Sequence, residues 1–254
     1  MYSFQIIFKG DLKGLLYFEN NLIEGAFNKK QTEILSVIAS PLAISLENAN
    51  LFNKLKASNE MLSKMLQKAI NVISKIVELR DVYTSAHQKK VQQLSCAIAK
   101  EMGLPEDTIN NISLGALIHD IGRIYIASEI LNKPGKISNL EYQLLQTHVT
   151  NGYEAVKEIY FPQPITDMIY QHHERLDGSG YLQRLIGDKI TMESRILAVA
   201  DVVEAMTSDR PYRAALGIDL ALEEILLHKG TKYDADVVDV CKKLFQKQGF
   251  KFSS

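Results

Sequence analysis

The sequence contains no tryptophan and only two cysteines, Cys96 and Cys241, which lie far apart. Two distant thiols outside a Cys-x-x-Cys pair argue against a disulfide and favour interior thiols of a reduced protein. No uncharged apolar run approaches the roughly 18 residues of a membrane span, and the N-terminus lacks the basic start and apolar core of a signal peptide. We therefore expect a cytoplasmic protein without a membrane segment.

The chain also lacks an excess of charge of either sign. Its formal net charge is -1 over 254 residues, and its sequence pI is about 6.6. No global field therefore draws it to nucleic acid or to a membrane surface. Any anionic ligand must be met by locally placed cations. Hydrophobic residues make up 46%, which is enough for a core that needs no disulfides.

Strand patterns are equally scarce. Two apolar runs around "KGDLKG", within residues 4–18, predict one β-hairpin. An isolated hairpin is marginally stable in water, so we expect it to belong to a larger sheet whose earlier strands are missing here. No other strand pattern, glycine-rich nucleotide motif or repeat follows.

A helical pattern extends from about Lys29 to Leu79, longer than the roughly 8–20 residues of most globular helices. Its apolar positions recur in steps of three and four residues. They are Leu35, Ile38, Leu42, Leu46, Ala49, Phe52, Leu55, Met61, Leu62, Met65, Ala69, Ile73 and Ile76. We predict a connecting helix that pairs with its twin in a homodimer. The alternative is two packed helices with a break at Pro41.

The second half is predicted to be helical, with helices separated by turn signals. Pro105 and two acids begin one helix, and Ser138 with Glu141 has the spacing of a capping box. Five of the six histidines lie in fewer than 90 residues of this half. His119 and Asp120 end an apolar stretch, and Asp201 lies inside another, where a buried carboxylate needs compensation.

A bound cation would supply that compensation, as would a simple His–Asp hydrogen bond. Imidazoles and carboxylates without cysteine suit iron, manganese or zinc, and the pattern does not choose among them. Seven ligands are more than one ion needs, so two bridged metals are expected, an arrangement suited to in-line displacement at phosphorus. The seven are His87, His119, Asp120, His148, His172, His173 and Asp201.

Cations for a phosphate are also present. Arg123 lies one helical turn after His119, and Arg210 and Arg213 occur in "SDRPYR". Guanidinium groups can hold phosphate oxygens with two hydrogen bonds. Lys133 and Lys136 are weaker candidates, which we expect to be solvated.

Several ordered motifs resemble those of the HD-GYP family, a branch of the HD phosphohydrolases. They are "RDVYTSAHQKKV", "HDIGR", "LNKPGKIS", "HHERLDGSGY" and "RILAVADVVEAMTSDRPYR", spread over about residues 70–250. Residues 14–55 look like the end of a GAF sensor domain. The resemblance implies a GAF remnant at 1–55, a helical linker at 56–69 and an all-helical, metal-dependent phosphohydrolase domain at 70–254. The fold class is therefore mainly α, with a short hairpin and a long connecting helix in front.

The resemblance also assigns roles. His87, His119, Asp120 and Asp201 would hold one metal. Asp120 would bridge to a second, held by His148, His172 and His173. Catalysis would depend on Asp120 and Arg123. The residues that would contact substrate are Arg123, Gly180, Tyr181, Arg210 and Arg213.

The implied activity is hydrolysis of cyclic di-GMP to linear pGpG or to GMP, by a hydroxide bridging two divalent metals, with iron or manganese preferred. The resemblance also implies signalling proteins as partners. Gly178 and Gly180 would let the backbone turn closely around the substrate.

Four positions depart from the family pattern. Leu182 and Val149 replace prolines, Tyr83 stands where some members place a glutamate for a third metal, and Arg123 replaces a lysine. Two alternatives therefore stay open. One is a weak or inactive module that binds a cyclic dinucleotide, and the other is a phosphohydrolase for a different cyclic dinucleotide.

Overall fold

The hairpin predicted at the N-terminus is present in the computed structural model. Strands β1 (Tyr2–Phe8) and β2 (Asp11–Phe18) pair antiparallel, with Phe8 opposite Asp11. Lys9 and Gly10 form the turn and both have positive φ, at 52° and 90°. Such a two-residue turn matches the right-handed twist of the strands it joins. The structure describes residues 2–20, 22–23, 27–80, 87–159, 161–209 and 214–253.

The long helix α1 (Lys29–Arg80) follows, and it runs through Pro41 without a break. The alternative of two helices separated at Pro41 is therefore wrong. The chain divides into two compact units, Met1–Leu66 and Gln67–Ser254. Among the described residues, no helix combines the length and apolar character needed to cross a bilayer.

The second unit is helical, as predicted. Its further helices are α2 (His87–Glu101), α3 (Glu106–Ile118), α4 (Ser128–Leu131), α5 (Asn139–Val156), α6 (Gln163–Gln171), α7 (Met192–Thr207), α8 (Ile218–Leu227) and α9 (Ala235–Lys247). Short 3-10 segments lie at Ile121–Tyr125 and Gly187–Lys189. The predicted capping box is confirmed, because Ser138 and Glu141 cap the start of α5 reciprocally.

Apolar packing fixes the helices that carry the conspicuous histidines and acids. One cluster joins α2, α3, α7, α8 and α9 through residues such as Leu94, Ile112 and Val199. Another joins α3 to α6 through residues such as Leu117 and Ile169. Side chains that point away from these clusters can meet in a shared polar site, held rigidly by a close-packed core.

Candidate metal centre

The seven predicted ligands lie on elements that converge in the second unit. His87 begins α2, and His119 and Asp120 directly follow α3. His148 lies in the middle of α5, and Asp201 in the middle of α7. His172 and His173 directly follow α6. Ligands that are far apart in sequence are therefore brought together by helix packing.

The first group consists of His87, His119 and Asp201. One possible ligand atom from each lies within 4.8 Å of the others, and all three residues are buried. Asp201 Oδ1 is 3.2 Å from His87 Nε2 and 4.0 Å from His119 Nε2. Two imidazole nitrogens and one carboxylate oxygen therefore surround a common point.

The second group consists of Asp120, His148, His172 and His173, whose candidate ligand atoms also lie within 4.8 Å of one another. His148 Nε2 is 3.3 Å from His172 Nε2. Both rings thus direct the same nitrogen to the same place. These four are the residues that the family resemblance assigns to a second metal, with Asp120 as the bridge.

Asp120 faces both groups. Its Oδ2 is 3.3 Å from His119 Nε2 and 3.7 Å from His87 Nε2. Its Oδ1 is 3.3 Å from His148 Nε2 and 4.0 Å from His172 Nε2. One carboxylate thus turns one oxygen to each group, an arrangement suited to a ligand that bridges two ions.

Backbone carbonyls orient three of the imidazoles. Nδ1 of His119, His148 and His172 lies 2.8, 2.6 and 2.9 Å from the carbonyl oxygen three residues earlier. A ring that donates its Nδ1–H to a carbonyl keeps the lone pair on Nε2, which is the tautomer that a metal requires. The helical backbone itself therefore selects the ligand nitrogen.

His87 is oriented differently, because its Nδ1 contacts the carboxylate of Glu204 one helical turn beyond Asp201 on α7. Glu204 is buried, and its other oxygen accepts a hydrogen bond from the Ser208 hydroxyl at 2.6 Å. The Glu204 carboxylate therefore orients the His87 ring.

The electrostatics favour ionised acids and neutral imidazoles at most positions. Burial opposes ionisation of Asp120, but the positive charge of the neighbouring Arg123 guanidinium outweighs it and holds the pKa of Asp120 well below the usual range. Burial lowers the pKa of His148 and His173, and it lowers the pKa of His172 to about 3. These are the protonation states that metal ligands need.

His87 is the exception. Burial lowers its pKa, but hydrogen bonds to Asp201 and Glu204 outweigh that effect and raise the pKa to about 9. The same Asp201 has a pKa well below the usual range, since the hydrogen bond from His87 outweighs the effect of burial.

The donor set fits divalent metal ions. Within the described part of the chain, His119 Nε2 and Asp120 Oδ2 are fully buried and make no hydrogen bond. Buried polar atoms are normally paired, so two such atoms facing one another indicate that something binds between them. Imidazole nitrogens and carboxylate oxygens suit iron, manganese or zinc alike.

The predicted phosphate-binding cation Arg123 lies beside this centre. Its Nε is 2.9 Å from Asp120 Oδ1, and its side chain is 21% exposed. The guanidinium thus contacts the proposed bridging acid while part of it reaches solvent. Arg210 and Arg213 lie outside the described residues. Lys133 binds the Glu141 carboxylate at 2.7 and 2.8 Å, and its side chain remains 37% exposed.

The loop at residues 178–185, which contains the glycines predicted to turn around the substrate, packs against His173. We call it the substrate loop. The Tyr181 ring stacks on the His173 ring at a centroid distance of 4.7 Å and an angle of 27°. Gly180 permits this approach, because a Cβ there would lie 2.5 Å from both Glu174 Cα and the His173 carbonyl oxygen. Gly178 has a φ of +76°, which favours glycine.

Glu174 is a residue that the sequence interpretation missed. It is 2% exposed, and its carboxylate accepts hydrogen bonds from three successive backbone N–H groups, those of Gln183, Arg184 and Leu185. The acid thereby holds the end of the substrate loop. A signal was available in the sequence, because Glu174 directly follows the paired histidines and precedes a glycine-containing turn. The N–H groups of such a turn need hydrogen-bond acceptors, and a nearby carboxylate can supply them.

Comparison with known proteins assigns the family. The model of the HD domain family matches residues 71–237, so the chain belongs to the HD domain family. It is 35% identical over 199 residues to the cyclic di-GMP phosphodiesterase response regulator RpfG of Xanthomonas campestris, covering 78% of this chain and 51% of that protein. It is 36% identical over 171 residues to the 3'3'-cGAMP-specific phosphodiesterase 1 of Vibrio cholerae. This match covers 66% of this chain and 39% of that protein.

The chain spans about half or less of the length of these curated relatives. Among solved structures, the fold resembles that of a cyclic GMP-AMP-specific phosphodiesterase of V. cholerae, V-cGAP3, with a TM-score of 0.54. The match has 19% sequence identity and covers 70% of this chain and 49% of that one. At this identity the likeness concerns the fold.

Proposed function

We propose that this chain is a cyclic-dinucleotide phosphodiesterase of the HD-GYP branch, and that it binds two divalent metal ions per chain. The observation that supports this most strongly is the position of buried Asp120 between two groups of candidate ligands. A carboxylate that turns one oxygen to each group is expected to bridge two ions. Two metals at such a site activate water and stabilise the attacking and leaving oxygens of a displacement at phosphorus.

The chain's own residues would position the substrate for that reaction. Arg123 is placed to contact a phosphate oxygen beside Asp120, and Arg210 and Arg213 are further candidates from the sequence. Tyr181 and Gly180 would form the wall of the site next to His173. Water would add to one phosphorus and the bond to the ribose oxygen would break, which gives a linear dinucleotide with a terminal phosphate.

Cyclic di-GMP is the substrate that we propose first, and the names of the relatives also support 3'3'-cGAMP. A second hydrolysis would give mononucleotides. Iron or manganese would serve as the metal, and zinc also suits the donor set. A non-catalytic module that binds a cyclic dinucleotide is the alternative. It is disfavoured because a degenerate module would be expected to lack some ligands, whereas the seven candidates form two groups that Asp120 faces.

One experiment separates these possibilities. Protein purified and metallated without oxygen, with iron or manganese, is incubated with cyclic di-GMP, 3'3'-cGAMP and cyclic di-AMP, and the products are separated by chromatography. A linear dinucleotide or mononucleotide product supports the enzyme. Binding of a nucleotide by the fully metallated protein without any product would refute the enzyme and support the binding module.

The N-terminal predictions rest on the sequence. Three assignments remain predictions: a GAF remnant at residues 1–55, a linker at residues 56–69 and a homodimer through α1. Limited proteolysis and light scattering of the whole chain would test them.

A further inference from the structure

A polar pocket of about 570 Å³ lies beside the metal centre, between α5 and the substrate loop. Its lining includes Tyr142 and Gln146 from α5, and Tyr181 and Arg184 from the loop. Tyr181 connects it to the centre, because the same ring stacks on His173. A molecule whose phosphate lies at the metals could therefore place its neighbouring group in this pocket.

The pocket has the two features that recognise a nucleobase. Tyr142 is 48% exposed, so part of its ring is open to a stacking partner, and it meets the edge of the Tyr181 ring at 6.5 Å. Aromatic side chains stack on any base. Arg184 and Gln146 supply hydrogen bonds, and a guanidinium can bind the O6 and N7 acceptors of guanine with two of them.

Arg184 is held in an unusual conformation. Its φ is +54°, a region that residues other than glycine rarely adopt. Its backbone N–H and that of Gln183 donate to Oε1 of Glu174, at 3.2 and 2.7 Å, and the next N–H donates to Oε2 at 3.0 Å. Non-glycine residues in such conformations cluster at functional sites. Because these hydrogen bonds hold the backbone, the Arg184 side chain starts from a defined position at the edge of the pocket.

We propose that this pocket is a guanine subsite, in which Tyr142 stacks on the base and Arg184 binds its O6 and N7 edge. The inference rests on the proposed function, because it assumes a phosphodiester at the metal centre. A cyclic dinucleotide then needs only one guanine to be recognised by this subsite. Cyclic di-GMP and 3'3'-cGAMP would both be accepted through this subsite, while cyclic di-AMP, which has no guanine, would be disfavoured.

The test compares the wild type with Arg184→Asn and Arg184→Lys. Asparagine tolerates positive φ, so the loop should keep its conformation, whereas lysine keeps the charge without the fork of donors. We measure kcat/KM of the metallated proteins for the three cyclic dinucleotides and for bis(p-nitrophenyl) phosphate, a phosphodiester without a base. A bidentate contact to guanine corresponds to a loss of about tenfold or more.

We expect both variants to lose this factor on the two guanine-containing substrates and to keep wild-type rates on bis(p-nitrophenyl) phosphate. An equal loss on all four substrates would overturn the proposal and make Arg184 a phosphate contact or a structural residue. A loss in Arg184→Asn that Arg184→Lys restores would also overturn it, because charge alone would then be sufficient. Unchanged kinetics in both variants would overturn it as well.

Failure of the proposed function can be distinguished from failure of the guanine subsite. In that case the metallated wild type cleaves none of the four compounds, and calorimetry still compares the affinities of the three cyclic dinucleotides. Guanine-dependent affinity that falls in Arg184→Lys would support the subsite in a non-catalytic receptor. Equal affinity for all three would refute the subsite by itself.

Discussion

Gly122 lies against the backbone of His148, so close that a Cβ on Gly122 would be 1.9 Å from the His148 carbonyl oxygen. This contact joins the 3-10 segment after Asp120 to the middle of α5. It therefore sets the spacing between the proposed bridging carboxylate and a ligand of the second group. A backbone contact of this kind cannot be relieved by a side-chain rotation.

Gly122→Ala is accordingly expected to destabilise the second unit and to weaken the second metal site. Overpacking a core typically costs about 1–3 kcal/mol, and a clash with backbone should fall at the upper end. Urea denaturation and elemental analysis of the purified protein measure both effects. Gly14→Ala is the matched control, because a Cβ there would lie 3.7 Å from its nearest neighbour, Ile6 Cδ1. Wild-type stability and metal content in Gly122→Ala would show that this contact is unimportant.

Asp120→Ala should lose metal from both groups, because one carboxylate serves each of them. The wild type should approach two ions per chain by elemental analysis, and the variant should hold fewer than one. Asp201→Ala removes a carboxylate from the first group alone, so it should keep the ion in the second group. Asp107→Ala, an exposed acid in the first turn of α3, is the control. Retention of two ions by Asp120→Ala would remove this residue from its bridging position.

Much of this site could be predicted from sequence because its chemistry is concentrated in unusual residues. A His–Asp pair at the end of an apolar helix and an acid inside another are costly unless they are compensated. Adjacent histidines before a glycine-containing turn suggested a ligand pair near a loop. The structure places these residues together.

The supporting contacts could not be predicted in the same way. Gly122 looks like any glycine after a helix, and its closeness to His148 depends on how α5 packs, 26 positions later. Glu174 looks like a surface acid, and its burial depends on a loop that folds back over it. The continuity of α1 through Pro41 could not be predicted either. The local sequence indicated only that a proline disfavours a helix interior.

The first unit offers a separate prediction about assembly. On α1, Phe52, Leu55, Asn59, Leu62 and Leu66 recur with alternating spacings of three and four, and the four apolar members are 48–67% exposed. This is the heptad spacing of a coiled coil, in which a polar Asn at one core position fixes the register. Leu55→Glu with Leu62→Glu should therefore convert a dimer into a monomer in light scattering at micromolar concentration.

Ala57→Glu with Lys64→Glu is the matched control, since these positions fall on the opposite side of the same heptads. It should leave the dimer intact. A wild type that is monomeric at these concentrations would refute pairing through α1. A dimer that persists in the leucine variant would place the interface elsewhere.

Glu174→Gln tests whether the acid holds the substrate loop. The carboxylate now accepts N–H groups on both oxygens, from residues 183 and 184 on Oε1 and from Leu185 on Oε2. An amide would place its own NH₂ against one of these donors, leaving it unsatisfied at a cost of about 1–3 kcal/mol. We expect that loss in urea denaturation, together with faster proteolysis within the loop at residues 178–185. Glu106→Gln, an exposed acid at the start of α3, should change neither. Equal stability and equal proteolysis in the two variants would show that the loop keeps its conformation without the carboxylate.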